Sequence, residues 1–395
     1  MTRDPSKLRW VVDDAIPLTP LLHRIIGEVV CLPGRDISAA VVRDADVLLV
    51  RSITPVDERL VAGSRLRFIG TATAGHDHID AEAMDRLGIT WCYAPGCNAV
   101  SVVEYVLSAI ALAGQLKCIL AGAPVGIIGL GEVGTRLGQK LARLGCDVVG
   151  YDPLRAHWPE CVRRAALDEV LCQPVVTLHA ALHDEAEHPS HGLIDATKAE
   201  LMCLAAKRRR ERGLFINAGR GDLMTQEALD ILLSSSMSIV LDTWPGEPLL
   251  GEAVLRQAGW VSPHIAGHSV TAKKRGADML AQSVARWSGI EIMALIDDVD
   301  DRAARSLDMR LMRDVAIADA AEWLEAFLIG QSTLQREDVR LRRSANPDLS
   351  AGKFDDLRRT YQQPTEWTGQ TFRMSDQSGS VSAMTERLGI TVVKE

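Results

Sequence analysis

The pattern of apolar and polar positions divides the chain into alternating strands and helices. Apolar runs at 8–12, 29–32, 47–50 and 66–70 predict short strands, and 18–26 predicts a helix. This alternation implies a parallel sheet with helices on its faces. Positions 95–113, PGCNAVSVVEYVLSAIALA, predict a long helix opened by a Pro-Gly-Cys-Asn turn, with Asn98 able to cap it. Its apolar residues run nearly all round, so the helix is expected to be buried, crossing from the first domain to the next.

A second alternation begins near residue 124. Positions 125–128 predict a buried strand, and Val133, Leu137, Leu141 and Leu144 share one helical face. Gly145 stops that helix, and 147–151 predict the next strand. Further strands are predicted at 175–178, 214–217 and 239–241. After 296 the pattern changes: helical over 309–329, a loop over 346–352, a short basic helix over 354–361 and a last strand over 388–393. The expected architecture is α/β, with two Rossmann-like doubly wound parallel-sheet domains and a small C-terminal α+β domain. The expected boundaries are 1–100 with 275–295 for a substrate-binding domain, 101–274 for a dinucleotide-binding domain, and 296–395 for the tail.

Composition narrows the possibilities. With 395 residues, 47% of them hydrophobic and 24% charged, the chain has material for two or three globular domains. A formal net charge of −8 argues against general binding to nucleic acid or to an anionic membrane. The eight cysteines (31, 92, 97, 118, 146, 161, 172, 203) form no C-x-x-C pair, which suits reduced thiols in a cytoplasmic protein. No apolar secretory segment precedes Asp13-Asp14, and the most apolar stretch, 102–113, is too short to span a bilayer and contains Glu104. The basic run Lys207-Arg208-Arg209-Arg210-Glu211-Arg212 reads as a solvated helix end.

The chemistry starts at GLGEVG, where Gly129, Gly131 and Gly134 follow a strand and open a helix. The first permits a tight turn, the second a close approach of backbone to a pyrophosphate, and the third close packing of helix on strand. Free N–H groups at the helix start, in Glu132 and Val133, favour that pyrophosphate. Asp152 closes the following strand, where a carboxylate holds ribose hydroxyls and repels a 2′-phosphate, so NAD is the expected cofactor.

Three ionisable residues lie in Gly- or Pro-marked loops after later strands: Arg220 after LFINAG, Glu247 in DTWPGEP and His264 in VSPHIAGHS. Hydride transfer from a secondary alcohol needs a base for the hydroxyl proton and a cation for the substrate. His264 suits the first and Arg220 the second, while Glu247 can fix the imidazole tautomer. In the first domain, Arg51 can clamp a carboxylate or phosphate with the Ser52 and Thr73 hydroxyls, or can form a surface ion pair; spacing alone leaves both open. His76 and His78 read as solvated turn histidines. The pair His264/His268 is not expected to bind metal, because Pro263 and Gly267 oppose the helix that this spacing requires. No metal is expected.

NAGRGD, DTWPGEP and PHIAG, placed after GLGEVG, resemble the D-2-hydroxyacid dehydrogenases. GTATAGHDHID, PGCNAVSVVEYV and the tail GKFDDLRRTY…EW resemble the branch of that family that works on 4-phospho-D-erythronate. The resemblance implies NAD-dependent oxidation of that acid at C2, a step toward pyridoxal phosphate, in a homodimer assembled through the tail. It implies that Arg220, Glu247 and His264 are catalytic, and that Ser52, Thr73 and His268 contact substrate. It also implies that Asp152, Ala180, Ala218, Gly219, Arg220, Asp242 and Gly267 contact NAD. The sequence departs from the family at His268, where a Tyr is usual, and at Ala180-Ala181, where a Thr-Pro pair is usual. Alternatives are a 3-phosphoglycerate or hydroxypyruvate type of dehydrogenase, or a non-enzymatic NAD-sensing scaffold of the co-repressor type.

Overall fold

A computed structural model describes residues 4–184, 187–290, 307–308, 320–345, 349–374 and 379–394. The chain forms two compact units, Met1–Asn98 with His268–Ala303, and Ala99–Gly267 with Ala304–Glu395.

The first unit is a five-stranded parallel sheet of β1 (Arg9–Asp13), β2 (Glu28–Leu32), β3 (Val47–Val50), β4 (Phe68–Thr71) and β5 (Thr90–Tyr93), in the order β2-β1-β3-β4-β5. All of β3 and β4 is buried, as expected of inner strands covered on both faces. Strand β5 was not legible, since Thr-Trp-Cys-Tyr has neither a continuous apolar run nor alternation. The predicted helix over 18–26 shrinks to one turn, Pro20–His23. Thr19 caps it and Pro20 occupies its first position, which fixes where it starts. One side of the sheet is covered by the helix Val270–Ser288, through Ala277, Leu280, Ala281 and Val284.

The second unit carries a seven-stranded parallel sheet: β6 (Val125–Ile128), β7 (Val148–Tyr151), β8 (Arg163–Arg164), β9 (Val175–Leu178), β10 (Leu214–Asn217), β11 (Ser238–Leu241) and β12 (Trp260–Val261). Their order is β12-β11-β10-β9-β6-β7-β8, so the chain reverses its direction of build between β6 and β9. A reversal of that kind opens a crevice beyond the carboxyl ends of the two strands. The helix Ala99–Leu112 is nearly wholly buried, as its apolar periodicity predicts. Helix Ala196–Arg209 ends in the left-handed residue Arg210, so the basic run is a helix end. Arg209 departs from that reading: its side chain is anchored on the carbonyls of Cys172 and Gln173.

The tail shares the core of this second unit. Trp323 stacks on Phe327 (5.2 Å, 14°), and Phe327 meets Trp367 and Phe372 edge-on; all four join the cluster that contains Val106, Leu107 and Ile110 of the long helix. Glu104, an acid in an otherwise apolar helix, accepts the backbone N–H groups of Trp367 (3.0 Å) and Thr368 (2.7 Å). The described part of the predicted 309–329 helix is Ala320–Gln331; residues 309–319 lie outside the described residues. The basic helix begins earlier than expected, at Ala351, because Ser350 caps it. Leu388 is not part of the last strand but ends a helix, Gly379–Leu388, stopped by Gly389 at φ +72. Strands β13 (Leu307–Asp308), β14 (Thr371–Met374) and β15 (Thr391–Lys394) form a small parallel sheet. No helix among the described residues is long and apolar enough to cross a membrane.

Candidate active site

The glycine loop after β6 is built as the spacing requires. Gly129 has φ +87, and a Cβ there would lie 2.4 Å from the backbone N of Ala180. The loop after β6 therefore lies directly against the loop after β9, at the point where the sheet reverses. A Cβ on Gly134 would lie 2.0 Å from the carbonyl oxygen of Gly129, which holds helix Glu132–Arg143 close to the turn. Gly131 differs: a Cβ there would meet nothing within 4 Å, and it caps the helix with no side-chain hydrogen bond. Gly131 and Glu132 are exposed and Val133 is half-buried, so the first helical turn offers its N–H groups to open space. Open space at a helix N-terminus suits a pyrophosphate.

Asp152 follows β7 directly. Its Oδ2 accepts the N–H of Leu130 (2.8 Å) and its Oδ1 that of Leu154 (3.2 Å), so the carboxylate is fixed beside the glycine loop. Each oxygen keeps a lone pair for a further donor. Across the reversal stand His179 and Ala180, after β9. His179 Nε2 bonds the Thr177 hydroxyl at 2.8 Å, and burial pushes its pKa down to about 3, so it stays neutral at physiological pH.

The loops after β10, β11 and β12 carry the ionisable set. Asn217, fully buried, accepts the N–H of Gly219 through Oδ1 (3.1 Å) and donates through Nδ2 to the Arg220 carbonyl (3.1 Å). One amide thus shapes the turn that presents Ala218, Gly219 and Arg220. A Cβ on the next residue, Gly221, would lie 2.0 Å from the Trp244 carbonyl oxygen, so this turn interlocks with the loop after β11. In that loop the Trp244 indole donates to the Leu249 carbonyl (2.6 Å), closing the segment that holds Glu247.

His264 and Glu247 meet: Nδ1 to Oε1 is 2.7 Å, with the side chains 32% and 20% exposed. His264 itself has φ +55, a left-handed conformation that is uncommon for a residue with a side chain. The surroundings enforce it. The His264 N–H is shared between the carbonyls of Asp242 (3.0 Å) and Ser262 (2.9 Å). Asp242, 1% exposed, accepts from Ser262 Oγ (2.6 Å) and from the N–H groups of Ile265 (2.8 Å) and Ala266 (2.9 Å). Burial raises the Asp242 carboxyl above the usual range, opposed by the nearby His264 and by these hydrogen bonds. Tyr105 completes the chain, its hydroxyl 2.7 Å from Ser262 Oγ. Asn217, Ser262 and Tyr105 were not singled out in the sequence. The one signal for Asn217 was an amide closing the otherwise apolar run LFIN.

The second unit therefore gathers Gly129, Gly131, Glu132, Val133, Gly134, Asp152, Ala180, Ala218, Gly219, Arg220, Asp242, Glu247, His264 and Gly267 in loops at the carboxyl ends of one sheet. Arg51, Ser52, Thr73 and His268 all belong to the first unit. There Thr73 donates to the Gly75 carbonyl (2.7 Å) and lies 2.7 Å from the Thr71 hydroxyl, which is 2.9 Å from His78 Nε2. His76 packs between Trp91 and Tyr93, with centroids 5.3 and 4.8 Å away. His78, half-buried and bonded to Thr71, braces the loop after β4 where a solvated side chain was expected, whereas His76 is exposed, as expected of a turn histidine.

Residues 18–295 match the family model described as D-isomer specific 2-hydroxyacid dehydrogenase, catalytic domain. A protein named erythronate-4-phosphate dehydrogenase from Marinobacter nauticus is 36% identical, over 96% of this chain and 98% of its own. One of the same name from Pseudomonas putida is 35% identical, over 97% and 99%. The solved structure of NAD+-bound 3-phosphoglycerate dehydrogenase from Entamoeba histolytica superposes with a TM-score of 0.58 at 22% identity, covering 71% of this chain and 95% of that one, and so shares the fold. The chain belongs to the D-isomer specific 2-hydroxyacid dehydrogenase family.

Proposed function

We propose that this protein oxidises 4-phospho-D-erythronate at C2, with NAD as the oxidant, to the 2-oxo acid, a step toward pyridoxal phosphate. The observation that carries a dehydrogenase is the 2.7 Å contact of His264 with Glu247, both in loops of the sheet that bears the glycine turn. The choice of acid rests on the full-length likeness to erythronate-4-phosphate dehydrogenases.

NAD fits the second unit at the open first turn around Gly131 to Val133, with Asp152 for the adenosine ribose and Ala180, Ala218 to Arg220 and Gly267 along the same loops. When bound, it supplies the acceptor for the hydride that leaves C2. His264, held at Nδ1 by Glu247, takes the C2 hydroxyl proton on Nε2. The Glu247 carboxylate stabilises the imidazolium so formed. Arg220 holds the substrate's carboxylate and the oxygen that becomes a carbonyl. Asp242 holds the His264 loop from beneath. Arg51, Ser52, Thr73 and His268 serve the substrate's anionic end. The reading includes a cytoplasmic location and a homodimer formed through the tail. Initial rates of NADH formation with 4-phosphoerythronate, 3-phosphoglycerate and unphosphorylated erythronate test it. Clear preference for the first supports it, and preference for 3-phosphoglycerate or no turnover with tight NADH binding refutes it.

A further inference from the structure

The first unit has a reversal of its own. In the order β2-β1-β3-β4-β5 the chain builds one way from β1 and the other way from β3. The crevice beyond the carboxyl ends of those two strands is where an open α/β sheet takes a ligand. Asp13 ends β1, and Arg51 follows β3. Asp13 is fully buried; its Oδ1 accepts from Arg51 Nε at 3.2 Å and from the Ala15 N–H at 2.9 Å. Its Oδ2 is packed against Gly34, where a Cβ would come within 2.4 Å. The Arg51 side chain is 25% exposed, and its terminal nitrogens meet no acceptor among the described residues. Asp13 therefore aligns the guanidinium by one edge and leaves the other edge of the fork open.

A second cation stands nearby. Lys273 lies in the first turn of helix Val270–Ser288, and its ammonium makes no ion pair or hydrogen bond with a described residue. Burial and the neighbouring Arg51 draw its pKa below the usual lysine range, with Asp13 acting the other way. One turn on, Gly276 lies where a Cβ would be 3.3 Å from the Ala72 carbonyl oxygen, so this helix runs beside the loop that carries Thr73. Strand β4 pairs with β3, so the loop that carries Thr73 adjoins the one that carries Arg51, and two like charges facing one buried acid favour an anion there.

We propose that Arg51 and Lys273 form a two-cation receptor, aligned by Asp13, for the phosphate monoester of the substrate. The assignment rests on the proposed reaction and adds Lys273 as a specificity residue. A dianionic phosphate has oxygens for both the Arg51 fork and the Lys273 ammonium. Loss of one charge-assisted contact lowers affinity about tenfold to a hundredfold.

The test is Lys273→Met in the full chain. KM for 4-phosphoerythronate should rise about tenfold to a hundredfold, while the rate with unphosphorylated erythronate and the NADH affinity stay unchanged. An equal effect on both acids, or none, overturns the assignment. A second readout needs no turnover. With NADH saturating, so that the pyrophosphate loop is filled, inorganic phosphate should raise the melting temperature of the wild type and of Lys273→Arg but not of Lys273→Met. An equal rise in Lys273→Met, or no rise in the wild type, overturns the receptor. If the phosphate effect depends on Lys273 but 4-phosphoerythronate is not oxidised, the receptor stands and the proposed substrate falls. If that acid is oxidised and Lys273→Met leaves its KM unchanged, the reaction stands and the receptor falls.

Discussion

Replacing Glu247 by Gln removes the charge that faces His264 while keeping the side chain's size. The contact is 2.7 Å, and the two side chains are 32% and 20% exposed. A hydrogen bond to a charged group contributes roughly 1.5–3 kcal/mol net, and partial exposure places this one near the middle of that range, about 2 kcal/mol. The stabilisation grows as His264 acquires the proton, so its loss falls on the transition state and not on the bound substrate. At about 1.4 kcal/mol per tenfold, kcat should fall roughly 30-fold. A glutamine that turns its NH2 toward Nδ1 would also select the wrong tautomer and deepen the loss. Initial rates of NADH formation with 4-phosphoerythronate, together with an NADH fluorescence titration, measure the two sides. The expectation is kcat and kcat/KM lowered together by about 10- to 100-fold, with NADH affinity within about twofold. A variant within about threefold of wild type in kcat would refute the reasoning, because the contact would then hold shape and not charge.

The second and third glycines of the loop should separate binding from folding. Gly131→Ala adds a methyl where the protein has open space, so melting should be unchanged while NADH binding is lost; unimpaired binding would sink the pyrophosphate reading. Gly134→Ala drives a Cβ to 2.0 Å from the Gly129 carbonyl oxygen and should lower the melting temperature itself. Asp152→Asn keeps an acceptor for the Leu130 N–H but removes the like charge facing a 2′-phosphate, so the preference for NAD over NADP in kcat/KM should narrow by about tenfold. Glu104 tests the tail's anchorage. Burial pushes its carboxyl up to about 8 from 4.5, so its contribution to stability is present below pH 4.5 and is lost as pH rises through 8. The shift corresponds to a loss of about 5 kcal/mol at most, and Glu104→Gln should flatten the melting profile between pH 5 and 9; an unaltered slope would count against it.

The sequence was most legible where one local rule suffices. The buried parallel strand Val47–Val50 is a continuous apolar run, Leu214–Asn217 is one up to its closing amide, and the three spaced glycines define the turn after β6. Strands β5, β8, β12 and β14 escaped because each is short or polar and owes its place to a neighbouring strand. Helix Pro20–His23 came out shorter than its pattern because caps, not periodicity, set its ends. For the site, the residue types in the loops after β10, β11 and β12 revealed the chemistry, but not what holds it. The positive φ of His264 and the chain Tyr105–Ser262–Asp242 beneath it join residues far apart in sequence, and no local pattern encodes them. Glu104 makes the same point: the acid in an apolar helix was visible, whereas its partners at 367 and 368 were not.

The most direct test of the account is the His264→Asn variant, assayed for NADH formation from 4-phosphoerythronate under saturating NAD and for NADH binding in the same preparation. The account predicts turnover lowered by roughly a hundredfold or more with NADH affinity kept, since asparagine fills the site but takes no proton. Turnover near the wild-type rate would show that the proton leaves by another route, and would contradict His264 as the base and Glu247 as its partner.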